Sequence, residues 1–381
     1  MQGGQLQINI IEVVGLSYYV FQSSSYLPDV YWERQEVEKN IVDYALFVSF
    51  FGTIISGPIQ KARNFLPQIK EKRIISDEGI QKAILYFLWG AVLKMIIADR
   101  IAMFTDTVWN SYSSLAGITL LIAALAYSIQ IYLDFAGYSY MAIGVASLFE
   151  FKMAENFRQP YMGINIDDFW RRWHISLTSW FREYLYIPLG GNRKGKVRKY
   201  INNIIVFLVS GLWHGADWSF VIWGGLHAGY KVIGNLTEKW RIGLCRIFKI
   251  NRETFGYRLW QKGFVFLLAS FAWIFFRAPS IGDALGYIKN MVSCWNPWIL
   301  FDKSLYSLGL TREEWSICIW GLVIVLAISC IKERGKSILE AFSRQNVLFR
   351  YACYSVLFWA LLILGIYGPE FNASAYIYMG F

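Results

Sequence analysis

Long apolar stretches separated by short basic connectors dominate the chain. The clearest is Ala116–Leu133, eighteen residues without a charge. As a helix it is long enough to cross a hydrocarbon layer of about 30 Å. Trp315–Ile331, Tyr351–Tyr367, Gly263–Phe276, Ala83–Ile97 (with Lys94 inside it) and Tyr44–Ile59 repeat the pattern. Ile201–Phe220 runs straight into Val221–Ile233, and Ile8–Leu27 is interrupted by Glu12. Roughly eight to ten membrane-embedded helices follow from this pattern. Several of the stretches are short for a straight crossing or carry polar residues. Such segments persist only where they pack inside protein or line a cavity. The expected fold class is an all-α polytopic membrane protein, a thick helical body around an internal chamber. A single domain, 1–381, is expected, without internal repeats.

Composition strengthens that picture. Of 381 residues, 56% are apolar, 18% aromatic and only 17% charged, against about 25% charged in ordinary soluble chains. So many aromatic rings on a soluble fold would leave large apolar patches facing water, and the same numbers exclude disordered and disulfide-scaffold classes. The net charge of +10, from 37 basic and 27 acidic residues, is spread over the connectors Lys61–Arg63, Lys70–Arg73, Arg193–Lys199 and Lys332–Lys336. That is the pattern of cytoplasmic loops under the positive-inside rule, and no basic domain is left to bind nucleic acid. Five widely spaced cysteines (Cys245, Cys294, Cys318, Cys330, Cys353) contain no CxxC pair and read as small core residues. Residues 1–14 lack the features of a signal peptide. Thr237–Arg258, the most polar stretch, is short enough for a loop or interfacial helix. Asn235-Leu-Thr and Asn372-Ala-Ser fit the glycosylation pattern, which matters only in a secretory pathway.

Three histidines stand out in so apolar a chain, because imidazole changes charge near neutral pH. His214, in Gly211-Leu-Trp-His-Gly-Ala-Asp217, follows the basic loop Arg193–Lys199. With a helix starting near Ile201, it sits roughly 20 Å from the loop side. An ionisable group at that depth is a functional candidate, whereas Gly211 and Gly215 read as a close-packing pair. His174 lies in Phe169-Trp-Arg-Arg-Trp-His-Ile-Ser-Leu177. There Trp170, Trp173, Leu177, Trp180 and Tyr184 mark one apolar helical face, and Arg171, His174, Thr178 and Arg182 an adjacent polar strip. The strip suits an interfacial helix or a mouth that attracts an anionic donor. His227 reads as mainly structural, and spacing alone does not bring it to His214. Asp134 and Asp217 could orient an imidazole or cap a helix. No phosphate loop, nucleophile elbow or metal-ligand spacing is present; no metal and no bound cofactor are expected. The inventory supports proton transfer by an imidazole inside the membrane, such as activating a hydroxyl to attack a thioester.

Several runs then resemble one family. They are Asp134-Phe-Ala-Gly-Tyr-Ser-Tyr-Met-Ala-Ile-Gly144, Glu155-Asn-Phe157 with Pro160-Tyr161, and Asp168-Phe-Trp-Arg-Arg-Trp-His-Ile-Ser-Leu177. Tyr186-Ile-Pro-Leu-Gly-Gly-Asn-Arg193, Gly211-Leu-Trp-His-Gly215, Phe275-Phe-Arg-Ala278 and the closing Tyr376-Ile-Tyr continue the series. In order and spacing they resemble the membrane-bound O-acyltransferase (MBOAT) family, in its bacterial alginate O-acetyltransferase-like branch, from about residue 15 to 381. The resemblance implies a ring of helices around a central funnel, with the family's N-terminal helices missing before Gly15. It implies that His214 matches the essential membrane-embedded histidine and His174 a second conserved polar position. Arg171, Arg172, Trp173 and Arg182 are expected to favour the anionic donor. The implied donor is a cytoplasmic thioester, acetyl-CoA in this branch. The acyl group leaves on the opposite face, where a secreted or membrane-anchored acetyltransferase partner completes O-acetylation of a polysaccharide such as alginate. D-alanine transfer to teichoic acid, a non-catalytic truncated homologue and a transporter are the alternatives. The implied location is the bacterial inner membrane. Tyr140 stands where the branch pattern has Asp.

Overall fold

The computed structural model describes residues 15–54 and 57–367, and these are helical, with no strand among them. The elements that build the site are α1 (Leu16–Tyr31), α2 (Asp77–Asn110), α3 (Ile118–Leu148), α4 (Ile166–Arg172), α5 (Ile175–Phe181), α6 (Gly195–His214) and α7 (Trp218–Leu236). They are followed by α8 (Phe255–Arg277), α9 (Arg312–Glu333), α10 (Ile338–Ser343) and α11 (Val347–Leu364). Five of them, α2, α3, α8, α9 and α11, are long and apolar enough to cross a membrane. The chain is a multi-pass membrane protein.

Side-chain caps set where many helices begin, because the first backbone N–H groups of a helix need acceptors. Ser76 Oγ accepts from Gly79 N–H at the start of α2, and Asn346 Oδ1 from Phe349 N–H at α11. Thr311 and Glu314 form a reciprocal capping box at α9. The interior of α2 departs from regular α geometry over Val92–Ala98, one widened π-helical stretch. Within it, Lys94 Nζ lies 2.6 Å from both Asp99 and Asp134. Such a buried charge persists only when paired, and here the pairing joins α2 to α3. The apolar core spreads from this seam, with Trp173, Trp223, Trp273, Phe104 and Phe135 among its fully buried rings.

Three expected spans take different shapes. The Tyr44–Ile59 stretch is two short helices, Ile41–Val48 and Phe51–Ile54. Ser49 bonds back to the Ala45 carbonyl, and Phe47 and Phe50 bury against Phe65; residues 55–56 lie outside the described part. Of Ile8–Leu27, residues 8–14 also lie outside it, and α1 begins at Leu16. The run Ile201–Phe220 is split, as described next. Within the polar stretch Thr237–Arg258, Glu238–Ile247 is a helix with Trp240 exposed.

Candidate functional site

His214 is the last residue of α6, and the extended backbone of Gly215 (φ 160°, ψ 159°) ends the helix. Asp217 then caps α7, its carboxylate accepting from Ser219 N–H at 2.7 Å. The apolar run is therefore a tight hairpin of two helices, with His214 at its tip. Glycines let the two backbones touch. A Cβ on Gly211 would come within 2.3 Å of the Phe220 carbonyl oxygen, and one on Gly224 within 2.3 Å of the Phe207 carbonyl oxygen. A larger residue at either place would force the helices apart. With α7 held so close, the His214 ring packs edge-on against Trp223 at 5.2 Å and Phe276 at 4.9 Å. It is 4% exposed.

His174 is positioned by a break. The 3–4 spacing predicts one helix through Phe169–Tyr186, but the backbone at His174 is left-handed (φ 41°, ψ 58°) and separates α4 from α5. A left-handed non-glycine residue is uncommon and persists where its surroundings over-determine it. Here they do. The Ile175 N–H donates to the Asn156 carbonyl at 2.9 Å, and the His174 ring Nδ1 lies 3.2 Å from Asn156 Oδ1. The Asn156 amide is oriented by its other contacts. Its Nδ2 donates to Ser139 Oγ at 3.0 Å, and its Oδ1 accepts from Ser176 Oγ at 2.6 Å. Ser176 Oγ in turn accepts from Ile59 N–H at 3.0 Å. Because Asn156 Oδ1 is an acceptor, the proton of His174 sits on Nδ1, and Nε2 keeps its lone pair. That Nε2 is buried and has no hydrogen-bond partner among the described residues.

The three histidines share one aromatic chamber. His174 and His214 lie within electrostatic reach of each other. His227 stacks edge-on against Trp223 at 5.2 Å, on the ring that also meets His214. Trp170 Nε1 donates to His227 Nδ1 at 3.3 Å, fixing the opposite tautomer to that of His174. His227 is fully buried, and this bond gives it a structural task. Of the two candidate acids, Asp134 pairs with Lys94 and Asp217 caps α7.

A cavity of about 1030 Å³ opens beside this chamber. Its lining includes Phe207 and Ser210, two turns and one turn before His214, and Ile175 and Leu177, just after His174. Its lining is cationic: Arg34, Arg63, Arg171, Arg182, Lys199 and Lys231 against Asp167 and Glu183. Part of that charge is internally balanced. Arg63 bridges Asp29 (3.3 Å) and Glu183 (2.6 Å), Lys61 reaches Glu183 at 2.5 Å, and Lys231 reaches Asp167 at 3.1 Å. Burial opposes the charge of Glu183, but the Lys61 and Arg63 hydrogen bonds prevail and hold its carboxyl below the usual range. Among the described residues, Arg171, Arg182 and Lys199 form no ion pair with a carboxylate, so their charge faces the cavity.

Of the arginines expected to favour an anion, Arg171 and Arg182 line this cavity. Arg172 lies elsewhere, paired with Asp168 (3.0 Å) and Glu333 (2.7 Å). Trp173 is 2% exposed among Phe157, Phe169 and Trp273. Sequence reasoning missed Asn156 as the partner of His174, and Lys199 as a cavity cation. The one signal for Asn156 was its place in a motif, as an amide between two runs rich in aromatic residues.

The chain that builds this site is similar in sequence to known proteins. The chain belongs to the membrane-bound O-acyltransferase family, whose model matches residues 10–277. It is 37% identical over 315 residues to a peptidoglycan O-acetyltransferase of Helicobacter pylori, covering 75% of this chain and 58% of that protein. It is 38% identical over 297 residues to a probable alginate O-acetylase of Azotobacter vinelandii, covering 77% and 56%. A teichoic acid D-alanyltransferase of Bacillus subtilis is 30% identical over 246 residues, covering 61% of each chain. The chain spans about half the length of the O-acetylating relatives it matches.

Proposed function

We propose that the chain carries the acyl-transfer centre of an O-acetyltransferase in a bacterial cytoplasmic membrane. The observation that carries this reading is that His174 and His214 lie within electrostatic reach of each other, and that sequence neighbours of both, Ile175 and Ser210, line a cationic cavity. An anionic thioester such as acetyl-CoA enters from the side of the basic connectors, which the positive-inside rule makes cytoplasmic. Arg171, Arg182 and Lys199 hold its phosphates, since guanidinium groups match phosphate geometry. His214 acts as general base: it takes the proton of the acceptor hydroxyl as the oxygen attacks the thioester carbonyl carbon. The C–S bond then breaks, and the thiolate leaves and is protonated.

His174 orients the acceptor. With its proton held on Nδ1 by Asn156, Nε2 accepts a hydrogen bond from the hydroxyl. The acceptor is a cell-surface polysaccharide, reached through a secreted or membrane-anchored acetyltransferase partner. The names of the relatives at 37% and 38% identity support acetyl transfer over D-alanyl transfer.

The test is His214→Ala in cells, with polysaccharide O-acetylation measured beside membrane expression. The expected outcome is loss of acetylation at normal expression. Unchanged acetylation would remove His214 from the chemistry.

A further inference from the structure

A separate cavity of about 680 Å³ lies on another side of the molecule, between α2, α9, α10 and α11. It is built in two halves. Its apolar lining includes Leu85 and Trp89 of α2, Ile328 of α9 and, toward its open side, Val356 and Leu357 of α11. Its other end is polar and carries Arg158, Lys332 and Lys336 against the single carboxylate Glu155. Arg158 takes that carboxylate at 2.9 Å. Lys332 donates to the neutral hydroxyl of Tyr140 at 2.9 Å and lies 5.0 Å from its ring centre. Among the described residues neither Lys332 nor Lys336 forms an ion pair, so two positive charges face this end uncompensated.

The side of that end follows from its contacts. Lys332 and Lys336 flank the C-terminal end of α9, and Glu333 between them holds Arg172 by two hydrogen bonds of 2.7 and 3.0 Å. Arg172 adjoins Arg171 of the donor cavity, so both cavities present their cations toward the same face of the membrane. Basic pockets between membrane helices on the cytoplasmic side suit anionic lipid head groups. Below the head-group end, α11 offers an outward face: Val356 is 68% exposed. We infer that this cavity binds one anionic phospholipid of the inner leaflet, its phosphate on Lys332 and Lys336 and an acyl chain between α2 and α11.

The placement gives such a lipid a structural role. Glu155, Phe157, Arg158 and Gln159 all line the cavity, while Asn156, within the same loop, is 1% exposed and holds His174 on the other side. A bound lipid braces that loop from behind. Tyr140, the departure from the branch pattern, belongs to this site through Lys332.

The test uses the full chain in nanodiscs of phosphatidylcholine, doped with phosphatidylglycerol that carries a photoactivatable acyl chain. Adducts are mapped by peptide mass spectrometry, a readout independent of acyl transfer. The expected result is adducts concentrated on 85–89 and 349–357, competed by unlabelled phosphatidylglycerol and not by phosphatidylcholine. Lys336→Gln, on an exposed connector, reduces them roughly fivefold, as one cation near an anionic surface would. Lys332→Gln does the same where the protein remains folded. Labelling spread evenly over the outer faces of α9 and α11 overturns the inference. So does equal labelling by a phosphatidylcholine probe, or indifference to Lys336→Gln. Equal competition by inorganic phosphate overturns it too, by assigning the site to a free ion.

Discussion

Helices α3 and α11 are both strongly apolar, but 67% of the most apolar stretch of α3 is buried and only 6% of that of α11. The difference lies in their few polar residues. On α3, Ser128 bonds to Ser270 at 2.8 Å, Gln130 accepts from Thr105 at 2.6 Å, Asp134 pairs with Lys94, and Ser139 accepts from Asn156. Each bond reaches another element. The outward side chains of α11, such as Val356, Trp359 and Ile363, are apolar and exposed, as lipid contact requires. Hydropathy thus finds a membrane helix, and the internal polar partners tell which one faces protein.

That contrast can be broken most strongly at Asn156. Replacing it with Ala removes the acceptor that fixes the His174 proton, a bond to a buried group worth about 1–3 kcal/mol. Acetylation should fall roughly 10–100-fold at near-normal expression, measured as turnover with saturating donor. A fall confined to the donor KM would show that His174 serves binding alone. Next comes the helix contact: Gly211→Leu collides with the Phe220 carbonyl and should cost about 1–3 kcal/mol, read as a lower unfolding temperature in detergent. Unchanged stability would mean that α6 and α7 separate freely.

A smaller effect is expected at the cavity mouth. Arg182→Gln with Lys199→Gln should raise the donor KM and weaken its dependence on salt, because screened charges attract the donor. An unaltered salt dependence would place donor binding elsewhere. The ion-pair lock at Glu183 adds a pH test with a fixed sign. Its carboxyl is held below the usual range, so its contribution is present above the ordinary value and lost as pH falls through the lowered one. Glu183→Gln should flatten that acid limb of stability. Least of all, Ile363→Leu on the outer face of α11 should change stability by less than about 0.5 kcal/mol.

How much of this was legible in the chain varies by residue. His214 stood out as a candidate because an imidazole in an apolar run is costly without a task. The spans of α2, α3, α8, α9 and α11 were legible from long apolar runs, that of α2 broken by Lys94, although α3 extends well past Leu133 to Leu148. The break at His174 was not, because the 3–4 spacing of Trp170, Trp173, Leu177 and Trp180 continues across it without glycine or proline. Its cause is a bond from Ile175 to Asn156, a contact no local pattern encodes. His227 meeting Trp170 and Trp223, and Arg172 meeting Glu333, are likewise set by tertiary folding. Arg171 and Arg172 are neighbours with identical chemistry, and only the position of α9 sends one to a cavity and the other to a carboxylate.

At residue 174 the chain keeps an imidazole where asparagine or glycine would sit more comfortably, accepting strain of about 1–3 kcal/mol. Robustness and chemistry therefore pull against each other at that one position. A variant with asparagine there should give up turnover and yet survive heating at least as well as the parent.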